Sequence, residues 1–348
     1  MMEFVNTILS NEIAVALLLS ILPLIFLILY VLVVLYMEMK VAAHIQDRVA
    51  YMRTGWHGVL QPIADMMKLL LKEDVIPAQA DRLFFRLAPY ITFVGAYGAF
   101  AVLPFTSIYI GSNINLGAFF LIAIGSLSVV GILMAGWSSN NKWSLIGGIR
   151  SAAQMISYEI PTALAIVIVV MITGTLNLQE ITKFQEGGIQ NWLLLGGPFP
   201  TTKKFLLLPF MVITFLIMFV ASIAEVNRTP FDLPEAESEL VQGFFTEYSG
   251  LRFAMFYFSE YANLFVVSAV VTSLFLGGWS SPFADFMSGP IWGMFWFVLK
   301  ATLFVFMQIW VRWTLPRIRV DQVMYISWNV LTPWLFFCLL SVGRILLL

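Results

Sequence analysis

Residues 222–261 read SIAEVNRTPFDLPEAESELVQGFFTEYSGLRFAMFYFSEY. They carry Glu225, Asp232, Glu235, Glu237, Glu239, Glu247 and Glu260 against two bases, Arg228 and Arg252, so seven of the 20 acids fall in this one stretch. It lies between apolar runs that are each long enough to cross a bilayer. A carboxylate near the centre of a membrane helix costs about 2.5–3.5 kcal/mol even on insertion scales. A chain that gathers carboxylates there spends stability on them, and the expected return is function.

Working outward, 60% of the residues are hydrophobic, 11% are charged and the mean hydropathy is +0.89. A soluble domain carries about 25% charged residues, so this chain cannot cover a wet surface. It reads as an all-α, polytopic integral membrane protein. The net charge of −1 carries no signal for nucleic acid. The single cysteine, Cys338, rules out an internal disulfide, an iron–sulfur cluster or a zinc site built by this chain alone. His44 and His57 share one loop, so no haem is held between facing helices. No metal site and no covalently bound cofactor is expected. The first apolar run lacks a preceding base and a cleavage site and is too long for a signal peptide, so it reads as a retained helix.

Eight spans are expected in one transmembrane domain covering 1–348: 13–37, 87–106, 116–136, 152–174, 205–224, 256–277, 290–312 and 325–347. Loops 38–86, 137–151, 225–255 and 313–324, with Arg312 at the adjoining end of the seventh span, hold fourteen Lys and Arg residues, whereas the opposite side holds four. The positive-inside rule places these four loops in the cytoplasm and both termini on the other side of an energy-transducing membrane, most simply a bacterial cytoplasmic membrane. Loop 175–204 reads as a solvated excursion.

In the first loop, Gln61, Asp65, Lys68 and Lys72 recur at steps of four, three and four, and Val59, Leu60, Ile63, Met67, Leu70 and Leu71 fill the other face. This amphipathic helix either lies on the membrane surface or lines a cavity; its mixed-sign polar face argues against a headgroup anchor. The helix expected from 152 begins with Gln154, Ser157, Tyr158 and Glu159 at membrane depth, so that face must meet protein or water.

Glu225 and Arg228, one turn apart, are a candidate local ion pair. Pro230 and Pro234 break regular structure, after which Glu235 and Glu239 share a helix face with Glu237 turned away. Like charges at that spacing raise at least one carboxyl pKa, as a proton carrier needs. A merely wet acidic loop is the competing reading, but it does not account for Glu260 among Phe253, Phe256, Tyr257, Phe258 and Phe265. Arg317 and Arg319, in a short loop that also holds Asp321, are either orientation signals or contacts for acidic groups on a partner or in the acidic stretch. No P-loop, dinucleotide fingerprint, H-E-x-x-H motif or hydrolytic triad is present, and no inverted repeat is visible.

Six segments together resemble one family: VAAHIQDR (41–48), GVLQPIADMMKLLLKED (58–74), NNKWSLIGGIRSAAQMISYEIP (140–161), AEVNRTPFDLPEAESELVQGFFTEYSG (224–250), FYFSEYAN (256–263) and LPRIRVDQVMYISW (315–328). They are similar to the quinone-site membrane subunit of NADH:quinone oxidoreductase, respiratory complex I. The resemblance implies a subunit with no redox centre of its own that forms the membrane side of a chamber for ubiquinone or menaquinone. It implies as partners the hydrophilic-arm subunits carrying the terminal iron–sulfur cluster, the antiporter-like membrane subunits and the bilayer. By position it assigns Arg48, Asp65 and Phe258 to the chamber. Glu159, Glu225, Asp232, Glu235, Glu237, Glu239 and Glu260 take the proton path, with Arg228 as a base within it and Arg317, Arg319 and Asp321 as the last basic loop.

Where many members read E-R-K, this chain has Glu38-Met39-Lys40, leaving Arg53 as the candidate substitute base. Ser259 stands where some members carry methionine. The implied function is coupling of quinone reduction to proton translocation. Its rivals are the equivalent subunit of a membrane-bound hydrogenase or ferredoxin-linked complex, an autonomous proton or cation channel, and a passive anchor for the soluble arm.

Overall fold

A computed structural model describes residues 12–283, 286–287 and 289–347, with side chains from residue 20 onward and none at 237 and 238. The described residues hold helices and irregular segments only. Among the described residues, eight helical spans are long and apolar enough to cross a membrane. They lie on α1 (Glu12–Ile45), α3 (Arg82–Gly98), α4 (Gly117–Ser138), α5 (Lys142–Thr173), α7 (Thr201–Glu225), α9 (Gly250–Phe275), α10 (Pro290–Thr314) and the last span, Val320–Leu347. That last span is α11 (Val320–Tyr325), a π-helical turn (Ile326–Leu331) and α12 (Thr332–Leu347). Between the spans lie α2 (Gln61–Leu71), α6 (Leu178–Phe184) and α8 (Glu237–Leu240).

Local chemistry sets the ends. Asp81 accepts a hydrogen bond from the Leu83 N–H at the start of α3, Asn141 from Trp143 at the start of α5 and Asn177 from Gln179 at the start of α6. Gly174 ends α5 in the left-handed region, φ 74°, its N–H bonded to the Val170 carbonyl.

Two helices run well past their apolar segments. α1 continues to Ile45, and α5 begins at Lys142, ten residues before the expected start of its span. The polar extension of α5 survives because it faces protein: Ser144, Ser151, Gln154 and Ser157 are buried. A Cβ on Gly147 would lie 2.7 Å from the Gly243 Cα, so here the acidic stretch packs backbone against helix.

α9 has 67% of its apolar window buried, more than any other span. It contacts α1, α2, α3, α7 and α10, which places its start at the meeting point of the acidic stretch and the amphipathic helix. Phe85 stacks on Tyr248 with ring centres 4.1 Å apart, and Tyr248 donates to the Phe85 carbonyl at 3.2 Å.

The segment 175–200 is not a solvated excursion. Leu178, Ile181, Thr182 and Gln185 are buried against the far end of α9. Gln185 Nε2 donates to the Ser273 and Leu274 carbonyls, while its Oε1 accepts from Gly277 N–H and Leu193 N–H. Lys300 Nζ donates to the Leu276, Gly278 and Ser280 carbonyls at 2.8, 3.0 and 2.7 Å and lies over the Trp192 ring. Helix C-termini leave carbonyls without intrahelical donors, and these two side chains supply them for α9. The folding back answers a backbone demand that polarity alone does not reveal.

Candidate functional site

The acidic stretch closes on a buried ionic knot drawn from four parts of the chain. Because α1 continues beyond its apolar run, Glu38 sits on a helix and is only 3% exposed. Arg228, 2% exposed, leaves the turn after α7 and meets Glu38 Oε2 at 2.8 Å through Nη1 and Glu260 Oε1 at 2.9 Å through Nε. Arg312 of α10 pairs with the other Glu38 oxygen. Tyr261 of α9 donates its hydroxyl to Glu38 Oε2 at 2.5 Å and offers its ring face to Arg228, 4.4 Å from the guanidinium carbon. Two glutamates thus face two arginines, and removing any one of the four leaves a buried charge uncompensated.

Around this knot, cavities follow one another through shared walls. A small cavity of about 30 Å³ is lined by Glu225, Glu235 and Glu260 together with Thr92, Asn227 and Asn263. Glu235 also lines a second cavity, about 440 Å³, with Asp232, Gln242, Tyr257, Arg312 and Arg317. Tyr257 in turn lines an apolar cavity of about 170 Å³ between α1, α2 and α9 that contains Asp65 and Phe258. Tyr36 and Lys40 connect that cavity to a groove of about 540 Å³ lined by Arg48, His44 and His57. At the other end, Glu225 lies against Gly125 of α4 and feels the charge of Glu159, which lies near Ser126, whose hydroxyl donates to the Ile122 carbonyl.

The amphipathic helix therefore lines a cavity. Asp65 Oδ1 accepts from Gln61 Nε2 at 2.9 Å, one turn back on the cavity face, and Gln61 Oε1 accepts from the Thr54 hydroxyl at 2.7 Å. Arg48 is not in the cavity that holds Asp65 and Phe258; it lines the adjoining groove, with Nε 2.6 Å from Gln46 Oε1. Met39 adds an apolar wall and Lys40 brings the base. Lys40 Nζ donates to the Tyr51 carbonyl at 3.0 Å, while Arg53 is exposed and lines neither space.

The expected pairings change in three places. Arg228 pairs with Glu38 and Glu260 and not with Glu225, because the chain turns sharply after α7 and carries the guanidinium toward α1. Glu235 and Glu239 do not share a helix face. α8 starts only at Glu237, so Glu235 turns inward, while Glu239 is half exposed and held by Arg150 at 2.6 Å and Arg317 at 3.3 Å. Arg319 and Asp321 pair with each other at 3.2 Å on the surface. The Glu237 side chain lies outside the described residues.

Sequence reasoning alone misses Glu38, Tyr257, Tyr261 and Arg312. Glu38 is detectable in principle: the helical pattern continues through Val41, Ala42 and Ala43, which puts the acid on a buried face.

Burial pushes the Glu235 carboxyl well above its ordinary pKa, reinforced by the charges of Glu260 and Asp232 and opposed by Arg312 and Arg228. Burial also raises Asp232, against the pull of Arg312, Arg317 and Arg228. For Arg228, burial alone would lower the pKa, but Glu38, Tyr261 and Glu260 hold it well above the usual value. Glu239 is lowered, chiefly by the hydrogen bond from Arg150.

An acid whose pKa is higher folded than unfolded binds more protons in the native state, so stability declines as pH rises. For Glu235 the decline starts near the unfolded carboxyl value, about 4.3, and continues up to its raised native value. In the intact complex, Glu235→Gln is therefore expected to raise the melting temperature of the membrane arm at alkaline pH relative to wild type, with the two converging in acid. Parallel melting curves across that range would contradict the protonated-carboxyl assignment.

Among the described residues, no group of three or more His, Cys, Asp or Glu side chains could hold a metal ion. The fold and site define a polytopic membrane protein with an internal acidic path beside an apolar cavity. The sequence model of a family described as NADH dehydrogenase matches residues 18–343. The chain is 50% identical to the NADH-quinone oxidoreductase H subunit of Chlorobium luteolum over 325 residues, covering 90% of this chain and 84% of that protein. It is 49% identical to the H subunit of Chlorobaculum parvum over 323 residues, covering 90% and 87%. To the H subunit of Anaeromyxobacter dehalogenans it is 48% identical over 321 residues, covering 87% and 75%. The chain belongs to this family, the H subunits of NADH-quinone oxidoreductase, a multisubunit oxidoreductase complex.

Proposed function

We propose that the chain forms the membrane wall of a quinone chamber and the acidic relay that couples quinone reduction to proton translocation. The observation that carries this reading is the continuity of walls. Tyr257 is common to the apolar cavity and the Asp232–Arg317 cavity, and Glu235 is common to that cavity and the one holding Glu225 and Glu260. An event in the first space is felt two cavities away without a redox group in between.

In the chamber, quinone accepts two electrons from an iron–sulfur cluster of a hydrophilic-arm subunit and takes up two protons to become quinol. Charge developing on the ring raises the proton affinity of nearby carboxyls, because low dielectric strengthens the interaction. Tyr257 and Asp65 line the space in which the head group would sit. Glu235, already inclined to hold a proton, is the first relay group, and Glu225, Glu260 and Glu159 pass the change onward to antiporter-like subunits. Glu260 Oε2 and Asp232 Oδ1 are buried without a hydrogen-bond partner among the described residues, a state suited to groups that exchange protons. The first loop, the acidic stretch and the last basic loop would face the cytoplasm, with the hydrophilic arm docked there.

Glu235→Gln tests the relay. Quinone reductase activity coupled to pumping should fall about tenfold or more, as for loss of a positioned proton carrier, while NADH oxidation by an artificial acceptor stays at the wild-type rate. Unchanged coupled activity in that variant removes Glu235 from the path.

A further inference from the structure

The last span departs from α geometry at one place, and sequence explains why. Pro333 has no N–H and its ring crowds the carbonyl four residues earlier. A widened turn relieves both problems, and residues 326–331 are π-helical, with the Thr332 N–H bonded to the Ser327 carbonyl five residues back. The Thr332 hydroxyl donates to the same carbonyl at 2.8 Å.

A second proline faces this turn. Pro161 lies inside α5 and cannot donate to the carbonyl of Ser157. The Ser327 hydroxyl donates to that carbonyl at 2.6 Å. Tyr158 donates to the Val323 carbonyl at 3.1 Å, and the Ser157 hydroxyl lies 3.4 Å from the Met324 sulfur, so the same turn of α5 is stitched to the last span at three points. Ser327, Ser157 and Tyr158 are all buried. Glu159 sits within this turn, between Ser157, whose carbonyl loses its helical donor, and Pro161, which removes it.

We infer that Ser327 is a positioning residue for Glu159: the π turn places its hydroxyl to fill the hydrogen bond Pro161 removes, and this holds the proline-containing turn in the form that keeps Glu159 near Glu225. The inference rests on the relay reading for Glu159. It touches no substrate and adds no proton-carrying group. A buried carbonyl without a donor is unfavourable, so without Ser327 the 157–161 turn would shift to find one, and Glu159 would move with it.

The test is a double-mutant cycle in the intact complex. Ser327→Ala should lower protons translocated per NADH oxidised, with coupled activity down about fivefold for one lost hydrogen bond, whereas Ser327→Thr retains the donor and the coupling. Pro161→Ala restores an N–H to the Ser157 carbonyl, so Pro161→Ala and Pro161→Ala/Ser327→Ala should behave alike. Equal losses from Ser327→Ala in both backgrounds, or no loss in either, overturn the inference. Should Ser327→Ala fail to assemble, the double variant must still assemble, and failure of both is equally fatal.

The infrared carboxyl band of Glu159, identified by its disappearance in Glu159→Gln, separates this idea from the relay reading. The band should shift in Ser327→Ala and not in Ser327→Thr. A Glu159→Gln complex that pumps normally refutes the relay role while leaving that positional readout standing.

Discussion

Replacing Arg228 by methionine should prevent the protein from accumulating in a working complex. The guanidinium is buried and binds Glu38 and Glu260 at 2.8 and 2.9 Å, so its loss leaves two carboxylates facing each other with only Arg312 to answer them. Breaking a buried pair by removing one partner costs about 3–5 kcal/mol, a large part of the 5–15 kcal/mol that stabilises a typical protein. The excess falls on Glu38, which both arginines hold, and on Tyr261, whose hydroxyl and ring serve both sides of the knot.

Native electrophoresis of solubilised membranes, with quinone reductase activity measured on the same samples, reads the effect. Arg228→Lys keeps the charge but not the fork that reaches two carboxylates in different directions, so an intermediate level is expected. Adding Glu38→Gln to Arg228→Met removes one of the stranded charges and should recover part of the assembled complex. An Arg228→Met complex that assembles and turns over like wild type would show that the knot is dispensable.

The second large effect is expected at Ala254, which lines the cavity of about 170 Å³ with Asp65, Met66, Tyr257 and Phe258. A phenyl ring there fills space that the proposed reaction needs for the quinone head. Overpacking is tolerated poorly in close-packed interiors but well in a cavity, so Ala254→Phe should fold and assemble. Quinone-dependent activity should drop at least about tenfold with a raised KM for short-chain quinones, the pattern of lost substrate access, while electron transfer to an artificial acceptor is unaffected. The same variant should leave the Glu235 behaviour in alkaline melting intact, since Glu235 lines a different cavity. Normal quinone kinetics in Ala254→Phe would move the substrate site out of this cavity.

These two positions mark the boundary between what is legible in a sequence and what is not. Composition and the length of apolar runs determine eight spans, because a bilayer punishes unpaired backbone groups and charges in a way that depends on local sequence alone. The same logic marks Glu159, Glu225 and Glu260, each an acid in or beside an apolar run where lipid cannot tolerate it. The amphipathic spacing of Gln61, Asp65 and Lys68 likewise identifies a helix with one polar side.

Partnership is another matter. Arg228 is three residues from Glu225 in sequence, yet its partners are Glu38 and Glu260, which only the convergence of α1, α9 and the turn after α7 brings within reach. Glu235 and Glu239 are four apart, yet one faces a cavity and the other Arg150 and Arg317, because the helix that would align them begins two residues late. Loop 175–204 is polar enough to be wet, but tertiary structure turns Gln185 inward to satisfy the end of α9. Sequence by itself determined which groups are too costly to be idle, since that cost is set by the residue and its immediate run. Only the tertiary structure decided whom each group meets, since electrostatic and hydrogen-bond energies depend on distances of a few ångströms between residues as far apart as Glu38 and Arg312.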